Sequence, residues 1–131
     1  MARILSLDDE PTVLDLYRLL LKRTDYEHIG TVDEQEALSI LRTQAIDLFT
    51  QDFHRAGLGG YEFLRLMKAD EKLRDIPVLG ISLWSREGRA KGLESVGLDI
   101  DRDLAGYLHK LAIVTDLIPT IDAILAKHVK N

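Results

Sequence analysis

The 131-residue sequence contains no cysteine and no apolar run long enough to cross a bilayer. The lack of cysteine excludes disulfide bonds and thiolate metal sites, and it fits a reducing compartment. The short run Met1-Ala2-Arg3 leads directly into a strand-like segment, so it does not resemble a signal peptide. We therefore expect a cytoplasmic protein with no membrane association.

The sequence also lacks an excess of positive charge. Its formal net charge is -5, which disfavours direct binding to nucleic acid because a grip on the phosphate backbone needs clustered Lys and Arg. Apolar residues make up 46% of the chain and charged residues 30%, as is ordinary for a globular protein. The length predicts one compact domain over residues 1–131.

Strand-like and helix-like patterns alternate five times along the chain. Strands are predicted over 3–7, 28–32, 46–52, 78–82 and 105–109, with helices after them, including 11–23, 86–96 and 115–128. The fourth helix contains Gly88 and Gly92, which should each weaken it by about 1 kcal/mol relative to Ala. A polar connector is expected over 97–104, and Pro119 is expected near the first turn of the last helix. This alternation predicts a parallel sheet with helices on both faces.

Polar residues follow several of these strands and define the candidate site. Asp8 and Asp9 follow the first strand, Asp52 ends the third, Ser82 ends the fourth, and Lys110 follows the fifth. In an open α/β sheet, ligands bind beyond the carboxyl ends of the strands. Three neighbouring carboxylates are best sustained by a hard divalent cation, and Mg2+ prefers to bridge carboxylate and phosphate oxygens. The pattern therefore predicts phosphoryl chemistry, with Lys110 as a positive charge and Ser82 as a hydroxyl donor.

Five motifs in order make the sequence resemble the receiver domain of two-component response regulators, over essentially the whole chain. They are Leu7-Asp8-Asp9-Glu10-Pro11, Asp47-Leu48 leading to Asp52, Gly57 with Gly60-Tyr61-Glu62-Phe63-Leu64, Ile76-Pro77-Val78 leading to Ser82, and Gly106-Tyr107-Leu108-His109-Lys110. The resemblance implies a doubly wound α/β fold, a flavodoxin-like three-layer sandwich whose five parallel strands have the order 2-1-3-4-5.

The resemblance also implies a function for individual residues. Asp52 would accept a phosphoryl group from the phosphohistidine of a histidine kinase or histidine phosphotransfer protein. Mg2+ would be bound by Asp9, Asp52 and the main-chain carbonyl of His54, with Asp8 acting largely through water.

The readout is likewise implied by the resemblance. Ser82 would move toward the phosphoryl group and Tyr107 would follow, which would alter the face made by the fourth helix, the fifth strand and the fifth helix for a downstream effector. Such a protein is expected to be a monomer or weak dimer. It would catalyse phosphoryl transfer to its own Asp52 and would not be an enzyme with a diffusible product.

Two other functions stay open at this point. Leu83, Leu111 and the spacing of 28 positions from Ser82 to Lys110 depart from the family pattern, which motivates a phosphorylation-independent interaction module. A Mg2+-dependent phosphatase on the same fold is the weaker alternative. A calcium loop starting at Asp99 is rejected, because it lacks the glycine at its sixth position and has Lys110 at its twelfth.

Overall fold

The computed structural model describes residues 1–53 and 59–128, which form a five-stranded parallel sheet with the order β2-β1-β3-β4-β5. The strands are β1 (Arg3–Leu7), β2 (Glu27–Thr31), β3 (Leu48–Asp52), β4 (Val78–Ser82) and β5 (Gly106–His109). The helices are α1 (Pro11–Leu21), α2 (Glu34–Thr43), α3 (Gly59–Ala69), α4 (Arg86–Ser95), α5 (Ile100–Asp103) and α6 (Ile113–Lys127). The predicted fold class and strand order are confirmed.

The sheet is buried because helices cover both of its faces. Every residue of β3 and β4 is buried, as expected for interior strands of a parallel sheet. One apolar cluster joins the sheet to α1 and α6 through residues such as Tyr17 and Ile121. The other joins it to α2, α3, α4 and α5 through residues such as Leu41, Phe63 and Leu93. The result is the three-layer arrangement that the sequence predicts.

The stretch predicted as a polar connector contains the one-turn helix α5. The side chain of Asp99 accepts hydrogen bonds from the backbone N–H groups of Asp101 and Arg102, which caps the turn, and Ile100 is buried against the core. The prediction of a polar connector therefore missed this helical turn and its buried apolar residue. Four residues are too few to display a helical period, which explains the error.

The last helix begins earlier than predicted. A 3-10 turn over Lys110–Ala112 leads directly into α6 at Ile113, so Pro119 lies inside the helix and not in its first turn. Pro119 has no N–H to donate to the carbonyl of Thr115, and both residues are exposed. Strand bounds differ by a residue or two: β2 is one residue earlier, and β3 and β5 begin later than predicted. None of the helices of the described residues has the length and apolar character needed to cross a bilayer.

Candidate functional site

The predicted site residues are brought to one edge of the sheet by strand register. Asp52 at the end of β3 is paired with Ile81 of β4, and Ser82 at the end of β4 is paired with His109 of β5. Asp8 directly follows β1, and Lys110 directly follows β5. His54 lies outside the described residues, so the structure does not place its carbonyl.

Lys110 joins two buried carboxylates. Its ammonium lies 3.3 Å from Oδ2 of Asp8 and 3.5 Å from Oδ2 of Asp52, and those side chains are 0% and 1% exposed. The same ammonium donates to Oε1 of Glu10 at 3.1 Å. Two carboxylates buried this closely would repel each other, and the shared cation offsets that repulsion.

The surroundings of Asp8 favour the neutral, protonated form of its carboxyl group. Burial raises the pKa of the Asp8 carboxyl to about 6, the backbone N–H of Glu10 opposes this rise, and the charge of Asp52 adds to it. For Lys110, burial favours the neutral amine, but the charges of Asp52 and Asp8 outweigh it and raise the pKa of the ammonium. The site therefore holds two buried carboxyl groups whose charged forms are stabilised by a nearby cation.

The acidic residues after β1 fit a hard cation. Asp8, Asp9 and Glu10 each offer a carboxylate oxygen, and these oxygens lie within 4.8 Å of one another. Oδ2 of Asp8 is buried and receives no well-aligned hydrogen bond from the described residues. Oxygen donors of this kind are what Mg2+ prefers. Glu10 was not among the predicted ligands.

The backbone of Leu111 helps to hold Lys110 at the predicted position. Leu111 is exposed, and its backbone N–H is bonded to the ring Nδ1 of His109 at 3.1 Å, which starts the 3-10 turn. This cap holds the backbone at Lys110 while the side chain reaches back to Asp8 and Asp52. Leu83, another departure from the family pattern, is half exposed at the surface.

Ser82 and Tyr107, the two predicted switch residues, both contact Trp84. The fully buried Ser82 hydroxyl accepts a hydrogen bond from the backbone N–H of Trp84 at 3.0 Å. The hydroxyl of Tyr107 donates to the carbonyl of Trp84. The two residues are thus linked through the segment between β4 and α4.

The end of β3 is fixed by Phe53, whose ring lies between two glycines. A Cβ added at Gly60 would lie 2.1 Å from the ring, and one added at Gly80 would lie 2.6 Å from it. The backbone N–H of Phe53 also donates to the carbonyl of Ile81 at 3.1 Å. Asp52 is therefore presented by a strand end that has little freedom to move.

Arg89 is a residue at this edge that sequence reasoning missed. It is only 4% exposed, and its Nε donates to the hydroxyl of Ser82 at 2.8 Å. One signal was present in the sequence. Arg89 precedes Leu93 by four residues and so shares its inward-facing stripe on α4.

Known proteins resemble this chain in sequence. The family model described as "Response regulator receiver domain" matches residues 4–119. The polar-differentiation response regulator DivK of Brucella ovis is 28% identical over 122 residues, which are 93% of this chain and 94% of DivK. DivK of Brucella anthropi is 27% identical over the same shares.

Solved structures share the fold at lower identity. The chemotaxis protein CheY4 of Vibrio cholerae superposes with a TM-score of 0.79 at 21% identity, covering 95% of this chain and 98% of its own. The receiver domain of a signal transduction histidine kinase from Syntrophus aciditrophicus gives a TM-score of 0.83 at 22% identity, covering 100% and 95%.

Proposed function

Because the chain belongs to the response regulator receiver domain family, we propose that it accepts a phosphoryl group on Asp52 in a two-component or phosphorelay pathway. The observation that supports this most is the buried pair of Asp8 and Asp52 with the Lys110 ammonium between them. A structural salt bridge needs one acid for one base. The surplus acid at the end of a parallel strand favours a site built for a cation and an anionic ligand.

Asp8, Asp9 and Asp52 are the side chains that would hold Mg2+, and the carbonyl of His54 is carried over from the family resemblance. The ion would supply positive charge shared between the carboxylates and phosphoryl oxygens. The cluster has more carboxyl groups than cations, and burial raises the pKa of Asp8 to about 6. Both features fit a site that is completed by a cation.

The reaction is a transfer between the phosphohistidine of a kinase or phosphotransfer protein and this chain. An oxygen of Asp52 forms a bond to phosphorus while the phosphorus–nitrogen bond breaks, and the electron pair returns to the imidazole nitrogen. The strand end held by Phe53 orients Asp52, and the ammonium of Lys110 offsets negative charge on the phosphoryl oxygens. Ser82 would donate its hydroxyl hydrogen to one of those oxygens.

The readout follows from the contacts of Ser82 and Tyr107. Both residues are hydrogen-bonded to Trp84, in the segment that precedes α4, and Tyr107 lies on β5. A shift of Ser82 toward a phosphoryl group would therefore disturb the face formed by α4, β5 and α6, the last of which is the predicted fifth helix. A downstream effector would bind this face.

One observation favours a second candidate, a phosphorylation-independent interaction module. Leu83, Trp84 and Leu111 are large apolar residues that are at least half exposed, and they lie in the segments that follow β4 and β5. Exposed apolar surface of this kind is a feature of protein interaction sites when it is contiguous. This module would retain its partner when Asp52 is removed.

Mass spectrometry after incubation with acetyl phosphate and Mg2+ tests the proposal. We expect one added phosphoryl group on the native chain and none on Asp52→Asn, with Asp47→Asn, an exposed acid before the same strand, as the labelled control. Omitting Mg2+ should abolish labelling. An unlabelled native chain, or labelling that persists in Asp52→Asn, would contradict the proposal, and an unlabelled chain would leave the interaction module as the better account.

A further inference from the structure

Arg89 carries a buried charge that has no acidic partner among the described residues. Its side chain is 4% exposed, and none of the ion pairs found in the described part of the chain includes it. Arginine is rarely buried so fully unless it is paired, because removing a charge from water is costly. An anion that visits the site would supply the missing counter-charge.

Hydrogen bonds and aromatic rings hold the guanidinium of Arg89 in place without an anion. Nε donates to Ser82 at 2.8 Å and Nη1 donates to the hydroxyl of Tyr61 at 3.0 Å. The guanidinium lies 4.2 Å from the centre of the Trp84 ring, and the ring of Phe53 is 5.6 Å away. Such aromatic faces offset part of the cost of burial. Nη2 remains buried without an acceptor among the described residues.

The bond from Arg89 changes what Ser82 can do. A hydroxyl has two lone pairs and one hydrogen, and the lone pairs of Ser82 already accept from Arg89 Nε and from the Trp84 N–H. What remains to Ser82 is the donation of its own hydrogen. Because the bond from a guanidinium is charge-assisted, it also polarises the hydroxyl toward donation.

We propose that Arg89 is a positioning residue for the phosphorylated state, which presents Ser82 as a donor to a phosphoryl oxygen and balances the new negative charge. The inference rests on the proposed phosphorylation of Asp52. Asp52 pairs with Ile81, the neighbour of Ser82, so the anion would form beside the Arg89–Ser82 bond. A phosphoryl group adds about -1.5 to -2 charges at neutral pH, and Arg89 is a buried cation close enough to act on it through one hydroxyl.

The probe is beryllofluoride, an analogue of the acyl phosphate, titrated with Mg2+ by calorimetry. We expect Arg89→Met to weaken beryllofluoride binding about tenfold, the effect of one charge-assisted hydrogen bond. Arg89→Lys keeps the charge but not the planar set of donors, so it should weaken binding by less. Ser82→Ala should also weaken binding, and the loss in the double variant should be smaller than the sum of the two single losses, because Arg89 acts partly through Ser82. Arg86→Met is the matched control, since it removes an exposed charge from the same helix and should change binding less than twofold.

Binding of Mg2+ alone separates a specific role from a structural one. Arg89→Met should leave the Mg2+ affinity unchanged, because Arg89 contacts none of the carboxylates that would hold the ion. Equal loss of Mg2+ and beryllofluoride affinity would show a general structural role and overturn the inference. Additive losses in the double variant would refute action through Ser82, and a larger loss in Arg89→Lys than in Arg89→Met would refute charge balance.

The two proposals fail in different ways. If the native chain binds no beryllofluoride, the phosphoacceptor proposal and the role of Arg89 both fall. If the native chain binds it and Arg89→Met binds equally well, only the inference about Arg89 is refuted. Circular dichroism of each variant shows whether it is folded. If Arg89→Met does not fold, Arg89→Lys supplies the decisive comparison.

Discussion

Replacing Lys110 with Met tests whether this lysine stabilises the acidic site. The substitution keeps most of the length of the side chain and removes the ammonium that lies 3.3 Å from Asp8 and 3.5 Å from Asp52. Both carboxylates are buried, so water cannot replace the lost cation. The two negative charges would then face each other with less compensation.

The magnitude follows from the burial of the partners. Removing one member of a buried ion pair costs about 3–5 kcal/mol, because the remaining charge is left in a poorly solvated place. The pKa of Asp8 is already raised to about 6, and it would rise further in the variant. Proton uptake then limits the loss, so we expect the free energy of unfolding to fall by about 3 kcal/mol at pH 7.5.

The pH dependence of this loss has a definite sign. An acid whose pKa is higher in the folded than in the unfolded protein makes the folded state bind more protons. The stability of Lys110→Met should therefore recover as the pH falls from 7.5 toward 5.5, when Asp8 takes up a proton. The native chain should show a weaker recovery over the same range.

Urea unfolding followed by circular dichroism measures these differences. Glu10→Gln is the matched control, since Glu10 pairs with the same ammonium but is exposed, and it should cost less than about 1 kcal/mol. Millimolar Mg2+ should restore more stability to Lys110→Met than it adds to the native chain. A loss below about 1 kcal/mol for Lys110→Met, or one that grows as the pH falls, would refute the reasoning about a buried cation between two acids.

Three further predictions concern other parts of the fold. Asp8→Asn should raise the free energy of unfolding by about 1–2 kcal/mol at pH 7.5 without Mg2+, because it removes a carboxylate whose burial raises its pKa. Asp9→Asn, at an exposed position, should change the free energy of unfolding by less than about 0.5 kcal/mol, and equal urea unfolding of the two variants would contradict this. Burial lowers the pKa of His28 to about 4, so mainly the unfolded protein takes up a proton on this residue as the pH falls from 6.5 to 4. The free energy of unfolding of the native chain should therefore fall by about 2 kcal/mol relative to that of His28→Gln over this range, and parallel pH profiles of the two proteins would refute this. Gly88→Ala should stabilise α4 by about 0.5–1 kcal/mol, whereas Gly92→Ala should destabilise the protein, because the added Cβ would lie 2.2 Å from the Tyr61 hydroxyl. Thermal melts that rank the two variants the other way would contradict this.

The meeting of Asp8, Asp52, Ser82 and Lys110 was predictable because topology dictates it. Once strands and helices alternate, the sheet is parallel and the residues that follow its strands share an edge. The apolar residues of β1 and β4 are strong signals, since both faces of these strands are buried. Predictions of the fold and of the membership of the site thus depended on patterns several residues long.

The parts that failed depend on single side chains. Helix α5 forms because Asp99 caps it and Ile100 finds an apolar contact, which no period over four residues reveals. Glu10 turns toward Lys110, although its position before Pro11 is equally typical of a helix start. Arg89 carries a charge, so the ordinary expectation places it in water; its burial depends on three aromatic rings from separate segments of the chain.

Helix α4 is the element whose attachment to the fold depends most on these polar contacts. Its buried residues are Arg89 and Leu93, so little apolar surface holds it in place. Gly92 allows the hydroxyl of Tyr61 to approach the helix closely, and Arg89 bonds that hydroxyl and Ser82 from the same side of the helix. A helix docked through hydrogen bonds can shift when one acceptor moves, whereas a helix docked through close apolar packing must first break that packing. Since Ser82 is one of the two acceptors, an event at Asp52 would reach the surface of α4 through a single hydroxyl, without repacking of the core.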